Sequence, residues 1–348
     1  MTYTWPDLLT GLIAGEDLSS ASATWAMGQI LAGDTTPVQI AGFAVAMRAK
    51  GETVAELGGM AAAMLERATP ISITPEAVDV VGSGGDRANT VNVSTMAAIV
   101  AAGCGVPVVK HGNRAASSAC GTADCLEALG VALAVPPQAQ ADVLARAGIV
   151  FLFAPLYHPS LRHAASARGE LKVQTTFNFL GPLANPARPA AQAVGVANAR
   201  MAPLVAGVLA DRGTRGLVFQ GADGLDELTT TTRSNVWLIN DHRVVATQLD
   251  PLDLGIQRAS AAELVGAEPA TNARIVRDVL AGATGAVRDI VTLNAAAACL
   301  AFEGVSLEEP LVPQFARHLE RARQSIDTGA AAGVLQRWVL ATQAATTG

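Results

Sequence analysis

Val78-Asp79-Val80-Val81-Gly82-Ser83-Gly84-Gly85-Asp86 is the stretch from which the fold of this 348-residue chain can be read. A short β-branched run passes directly into three glycines and an acid, as a buried strand does when it ends in a tight turn. Similar apolar runs stand at Val106-Pro107-Val108-Val109, Val131-Ala132-Leu133-Ala134-Val135 and Ile149-Val150-Phe151-Leu152-Phe153. Two more stand at Ala193-Val194-Gly195-Val196-Ala197 and Gly216-Leu217-Val218-Phe219. Helix-period patterns that stop at Gly103, Gly130 and Gly148 lie between the earlier runs. Strand alternating with helix predicts βαβ units and a mainly parallel central sheet covered on both faces, an α/β fold. A hairpin is expected from Val236-Trp237-Leu238-Ile239 through a turn at Asn240-Asp241 to Val244-Val245-Ala246. From Ser260-Ala261-Ala262-Glu263, a capping box, the chain reads as mostly helical to its end.

Upstream of residue 77 the rhythm is helical only. Leu8, Leu9, Leu12 and Ile13 make one apolar stripe, stopped by Gly15; Trp25, Ala26, Met27, Ile30 and Leu31 make another, stopped by Gly33. Thr36-Pro37-Val38-Gln39 and Thr53-Val54-Ala55-Glu56 are capping boxes that open two further helices, and Pro70 ends the second. Residues 168–189, including Phe177-Asn178-Phe179-Leu180-Gly181-Pro182, fit neither rhythm.

Apolar residues make up 50% of the chain and mean hydropathy is +0.33, which excludes a disordered protein. The net charge of -6 gives no support to a general nucleic-acid-binding surface. The apolar stretch 96–109 is broken by Gly103, Gly105 and Pro107, so it is not expected to span a membrane. No secretory signal pattern stands at the start, and Cys104, Cys120, Cys125 and Cys299 have neither zinc nor CxxC spacing. A cytoplasmic protein with reduced thiols is expected. The Asn92-Val93-Ser94 sequon then has no glycosylation to receive.

The glycine turn matches neither common phosphate motif: Arg87 stands where a dinucleotide fingerprint needs Gly, and no Gly-Lys-Ser/Thr is present. The next segments are nonetheless suited to an anion. Asn92-Val93-Ser94-Thr95 opens a helix, whose N-terminus offers free N–H groups and a positive dipole end. After the next strand comes Lys110-His111-Gly112-Asn113-Arg114, then Ser117, Ser118 and Gly121-Thr122. Only three lysines occur in the chain, and one of them falls here. Between residues 82 and 122 the only acid is Asp86, against Arg87, Lys110 and Arg114. Two successive strand ends thus bring glycines, hydroxyls and cations to one edge of a parallel sheet, where α/β proteins bind ligands. Asp223-Gly224-Leu225-Asp226-Glu227 comes after a later strand; its hard oxygens suit Mg²⁺, and a solvated acidic turn fits the spacing equally well.

Together these motifs and the Gly181-Pro182 loop resemble the anthranilate phosphoribosyltransferases over nearly the whole chain. The resemblance implies a nucleoside phosphorylase/phosphoribosyltransferase-like fold. Residues 1–72, with part of 168–189, would form a small all-helical domain; residues 76–167 and 190–348 would form the larger α/β domain. It also implies a homodimer through the helical domain and use of Mg²⁺, two ions in all, with phosphoribosyl pyrophosphate. Gly82, Gly85, Asp86, Thr90, Asn92, Val93, Ser94 and Thr95 would hold that substrate. Lys110, His111, Gly112, Asn113, Arg114, Ala115, Ala116, Ser117, Ser118 and Thr122 would close over it. Ser94 and Glu227 would ligate one Mg²⁺, and Asp226 with Glu227 a second. Gly82, Asn113 and Arg168 would contact anthranilate. Departures are Ser83, Cys120 and Thr122, where Thr, Ser and Ser are more usual.

The implied reaction moves a phosphoribosyl group onto an aromatic amine that is already neutral at pH 7, so no general base is required. Lys110 and His111 are expected to act electrostatically, and stabilisation of the pyrophosphate leaving group carries the chemistry. Two other readings share the fold: a pyrimidine nucleoside phosphorylase, which does not need the Asp226–Glu227 pair, and a non-catalytic nucleic-acid-binding relative, which would carry a basic groove. No nucleic acid or membrane partner is expected.

Overall fold

The structure, a computed structural model, describes residues 3–74, 76–115 and 119–347. Four helices come first: α1 (Trp5–Ile13), α2 (Ser20–Ala32), α3 (Pro37–Lys50) and α4 (Val54–Glu66). Both expected capping boxes form. Thr36 Oγ1 accepts from Gln39 N while Gln39 Oε1 accepts from Thr36 N, and Thr53 and Glu56 do the same for α4.

Strand and helix then alternate through β1 (Val78–Gly82), α5 (Val93–Gly103), β2 (Val108–Gly112), α6 (Thr122–Leu129), α7 (Gln140–Ala147) and β3 (Ile149–Phe153). Two helices, α8 (Ala154–Tyr157) and α9 (Arg162–Leu171), precede a compact run of 3₁₀ turns at Thr176–Phe179 and Gly181–Leu183. The alternation resumes with β4 (Ala191–Gly195), α10 (Met201–Asp211) and β5 (Arg215–Gly221), and the hairpin β6 (Ser234–Asn240) and β7 (Arg243–Leu249) comes next. Helices α11 (Pro269–Leu280), α12 (Ala286–Glu303), α13 (Leu311–Asp327) and α14 (Ala330–Thr347) complete the chain.

The seven strands form one sheet in the order β3-β2-β1-β4-β5-β6-β7. The first five are parallel, and β6 and β7 are antiparallel. Residues alternate between its faces as the pleat demands. Val80, Ala193 and Leu217 enter the core beneath α5 and α12, whereas Val81, Val194 and Val218 enter a second core with α10 and the four N-terminal helices. Strand order reverses between β1 and β4, and the crevice outside their carboxyl ends is where such sheets bind ligands. Among the described residues no helix is long and apolar enough to cross a membrane.

Four sequence expectations are corrected. Residues 131–135 are buried but form no strand; Ala132 N donates to Thr342 Oγ1 on α14, and no neighbouring strand lies there to pair with. The strand expected at Val106 starts two residues later and runs on through Lys110-His111-Gly112, because these pair in register with Phe151-Leu152-Phe153 of β3. The hairpin turn sits at Asp241-His242, both at positive φ, with Asn240 already paired to Arg243. The Ser260–Glu263 box opens only a 3₁₀ turn, Ala261–Leu264.

Candidate active site

The glycine turn after β1 is built around the acidic segment that comes after β5. Gly84 N donates to Asp226 Oδ2 at 2.6 Å. A Cβ on Gly82 would lie 2.3 Å from that same oxygen, and one on Gly195 would lie 1.6 Å from the Asp226 carbonyl oxygen. Any side chain at either position would push Asp226 out of the crevice between β1 and β4. Asn294 of α12 fixes the far end of the segment, accepting from Leu228 N and donating to Leu228 O. Asp223 is excluded from the crevice, because its carboxylate takes the hydroxyls of Thr229 and Thr231.

Asp226 and Glu227 are both buried. Burial, then the neighbouring Asp86, pushes the Asp226 carboxyl up to about 7. Burial, then Asp226, holds Glu227 well above the usual carboxylate range, and burial raises Asp86 as well. Three acids thus crowd one crevice. Among the described residues no group of three metal-ligating side chains of the His, Cys, Asp and Glu type converges. Mg²⁺ does not require one, since it takes one or two carboxylates and fills its remaining positions with water and phosphate oxygens. Ser94 stands beside Glu227, with its backbone N–H on the carboxylate, so the expected pairing of Ser94 with Glu227 is brought together. Two carboxyls that resist ionisation beside a hydroxyl fit a divalent cation.

Helix α5 points its N-terminus here. Its N-cap residue, Asn92, makes no capping hydrogen bond to the helix. Asn92 Nδ2 donates instead to Cys120 O, and its Oδ1 accepts from Asn272 Nδ2 on α11. The first-turn amides around Val93, Ser94 and Thr95 are left without the usual side-chain cap, and Thr95 Oγ1 is buried with no partner among the described residues. Thr90 lies beside this turn, bridged to Val265.

Lys110, expected in a closing loop, is instead a buried strand residue whose Nζ donates to Val80 O and, at 3.2 Å, to Ser94 Oγ. Burial depresses its pKa, while Asp79, Glu227 and Asp226 favour its charge. Asp79 is the residue that sequence reasoning missed. It is buried in β1 and accepts from His111 N and Asn185 Nδ2, and burial pushes it up to about 6. A single acid inside a β-branched run was the available signal. Lys110→Met is expected to lower the unfolding free energy by about 1–3 kcal/mol, because it leaves the buried Val80 O without its donor and Asp79 without a nearby cation. Adding Asp79→Asn should restore part of that stability. Urea unfolding of the single and double variants checks this, and an unchanged single variant would remove the pair from the packing.

His111 Nδ1 donates to Gly181 O at 3.3 Å, and its ring meets His158 edge-on at 5.2 Å. Burial, then His158, pushes it down to about 3, so the ring is neutral, with Nε2 lacking a partner among the described residues. Gly112 and Asn113 come next at the strand end, and Thr122 starts α6. Arg114 is drawn away: its guanidinium pairs with Asp124 at 2.8 Å and Glu127 at 2.5 Å on α6 and lies over the Phe153 ring. Ala115 N likewise donates to Asp124 Oδ2. Ala116, Ser117 and Ser118 lie outside the described residues.

Arg168 sits in the last turn of α9 with its guanidinium 5.5 Å from the Phe177 ring centroid. It has no acidic partner among the described residues, and burial depresses its pKa. A half-buried guanidinium without a counter-ion suits a carboxylate ligand. Gln174, a second residue missed from the sequence, connects this segment to the glycine turn by donating to Gly85 O at 3.3 Å.

Comparison with known proteins agrees with this geometry. Residues 6–68 match the model for the helical bundle domain of a glycosyl transferase family, and residues 74–332 match that for its a/b domain. The anthranilate phosphoribosyltransferase of Arthrobacter sp. (strain FB24) is 57% identical, the alignment covering 98% of this chain and 96% of that protein. The crystal structure of the Thermus thermophilus enzyme of that name superposes with a TM-score of 0.89 at 38% identity, covering 97% of this chain and 99% of that one. The Saccharomyces cerevisiae enzyme, solved in complex with PRPP and Mg, gives 0.87 at 26% identity, with 98% of each chain covered. With its helical bundle, its parallel sheet and a crevice built at the switch point between β1 and β4, this chain belongs to the anthranilate phosphoribosyltransferase family.

Proposed function

We propose that the crevice between β1 and β4 transfers the phosphoribosyl group of phosphoribosyl pyrophosphate to the amine of anthranilate, releasing pyrophosphate. The observation that carries this reading is the placement of the Asp226 carboxyl against Gly82 and Gly84, with the Glu227 carboxyl on the Ser94 N–H at the start of α5. The phosphates are held by the glycine-turn amides, the first turn of α5 and the loop from Asn113 to Thr122. Ser94, Asp226 and Glu227 hold Mg²⁺, two ions in all. When bound, the metal offsets negative charge on the pyrophosphate as it leaves. Lys110 lies beneath the same crevice, where Asp79, Glu227 and Asp226 favour its charge, and keeps Ser94 oriented.

Anthranilate is held by Arg168 through its carboxylate, with Asn113 and Gly82 beside it. Its amine is neutral and needs no base, which agrees with a neutral His111 whose Nδ1–H is committed to Gly181 O. Positioning of the amine against the ribose carbon then contributes more than covalent chemistry. The exposed apolar residues Ile13 on α1 and Val38 on α3 support a homodimer through the helical domain. Cys104, Cys125 and Cys299 form no disulfide among the described residues, which suits a reducing cytoplasm.

The test is an assay of purified protein with anthranilate, phosphoribosyl pyrophosphate and Mg²⁺, following loss of anthranilate fluorescence. The loss should require all three components. A folded protein that leaves anthranilate untouched, yet cleaves a pyrimidine nucleoside with phosphate, would overturn the reading.

A further inference from the structure

At the opposite end of the sheet from the active site, where β4 and β5 begin, lies a second cavity of about 610 Å³. That volume is in the range of small-molecule sites. Leu65, Pro182, Leu183 and Pro189 supply apolar wall, and Arg188 and Arg212 line the same space. Arg212, just past the end of α10, donates from Nη1 to Leu183 O at 2.7 Å. Arg188 is held at φ 47°, in the left-handed region that a non-glycine residue occupies only at a cost. Among the described residues neither guanidinium makes an ion pair. Glu66 lines the cavity too and makes no ion pair with either among the described residues.

The charge of Arg188 acts on Arg212 within the cavity they both line. Burial, then repulsion from Arg188, pushes Arg212 down to about 10. Two guanidinium groups in one cavity, neither paired with an acid among the described residues, favour an anion, which each can hold through paired N–H donors. The apolar walls favour an organic body over a bare ion. We propose that this cavity binds a small organic anion, a carboxylate or phosphate carried on an apolar ring or chain, between Arg188 and Arg212. Segment 181–185, which lines the cavity through Pro182, Leu183 and Asn185, is also tied to the strands above it. Its Gly181 and Ala184 carbonyls accept from His111 and His158, and Asn185 donates to Asp79 and to Val109 O.

The test titrates phenyl phosphate and phenylacetate, by calorimetry, into the full chain saturated with phosphoribosyl pyrophosphate and Mg²⁺, so that the active-site phosphate positions are filled. At least one probe is expected to bind at concentrations up to about 10 mM. Which of the two binds distinguishes a phosphate from a carboxylate occupant. Arg188→Gln, whose native side chain makes no hydrogen bond or ion pair among the described residues, should weaken that binding about ten-fold or more. The same variant should keep its melting temperature and its turnover. Arg212→Gln should weaken binding as well, and Arg168→Ala should leave it intact. No binding of either probe, equal binding to the Arg188→Gln protein, or loss of binding in Arg168→Ala would each overturn the site.

Discussion

Glu227→Gln is expected to lose about a hundred-fold or more in kcat, the scale on which single electrostatic contributors to a developing charge act. The substitution keeps the shape of the side chain and removes one negative charge from the crevice. Because burial and Asp226 already hold the Glu227 carboxyl far above its ordinary range, the variant should unfold no earlier than the parent in Mg²⁺-free buffer. Activity and stability therefore move separately, which a merely structural residue would not allow. The half-saturating Mg²⁺ concentration should rise in the variant. In the parent it should also rise as pH falls from about 8 to about 6, because a carboxyl with a raised pKa must give up its proton before it can hold a cation. Asp226, pushed up to about 7, places the window there. Unchanged kcat at limiting Mg²⁺ would remove Glu227 from the reaction.

Arg168→Ala should raise the Michaelis constant for anthranilate about ten- to a hundred-fold, the equivalent of a charge-assisted hydrogen bond of roughly 1.5–3 kcal/mol. The constant for phosphoribosyl pyrophosphate should hardly change. The guanidinium rests on the Phe177 ring and has no acid among the described residues, so its removal leaves no buried charge behind. Loss of the ring contact is expected to cost at most about 1 kcal/mol of stability. Arg168→Lys should recover part of the affinity, since it keeps the charge and loses the two-pronged geometry. Steady-state kinetics with each substrate varied in turn decide the matter, and an unaltered anthranilate constant would leave Arg168 a packing residue.

The elements that were legible in the sequence are those whose cause is local. Capping boxes at Thr36 and Thr53 satisfy their own helix ends within four residues. The glycine stops at Gly33, Gly130 and Gly148 adopt left-handed conformations that other residues avoid. Most short β-branched runs between such helices are buried parallel strands, so much of the sheet and the order of its motifs were readable too. Residues 131–135 show the limit: they are as apolar as a strand, but strand formation requires a partner edge, and the space beside them is filled by α14.

Tertiary structure decided what the charged residues do. Lys110 and Arg114 stand four positions apart in one motif. Pairing of β2 with β3 buries the first beneath the crevice, and two acids on α6 draw the second away from it. Asn92 has the composition of a helix cap but is committed to Cys120 and Asn272, which leaves α5 without a side-chain cap. Asn185 and Gln174 carry no sequence signature, and Asp79 only that of a lone acid in an apolar run, since their partners lie 32 residues away or more along the chain. Sequence by itself determined where backbone amides and glycines gather, because that depends on local conformation. Which charges face one another, and which are left without a partner for a substrate to meet, depends on distances that exist only once the sheet has closed.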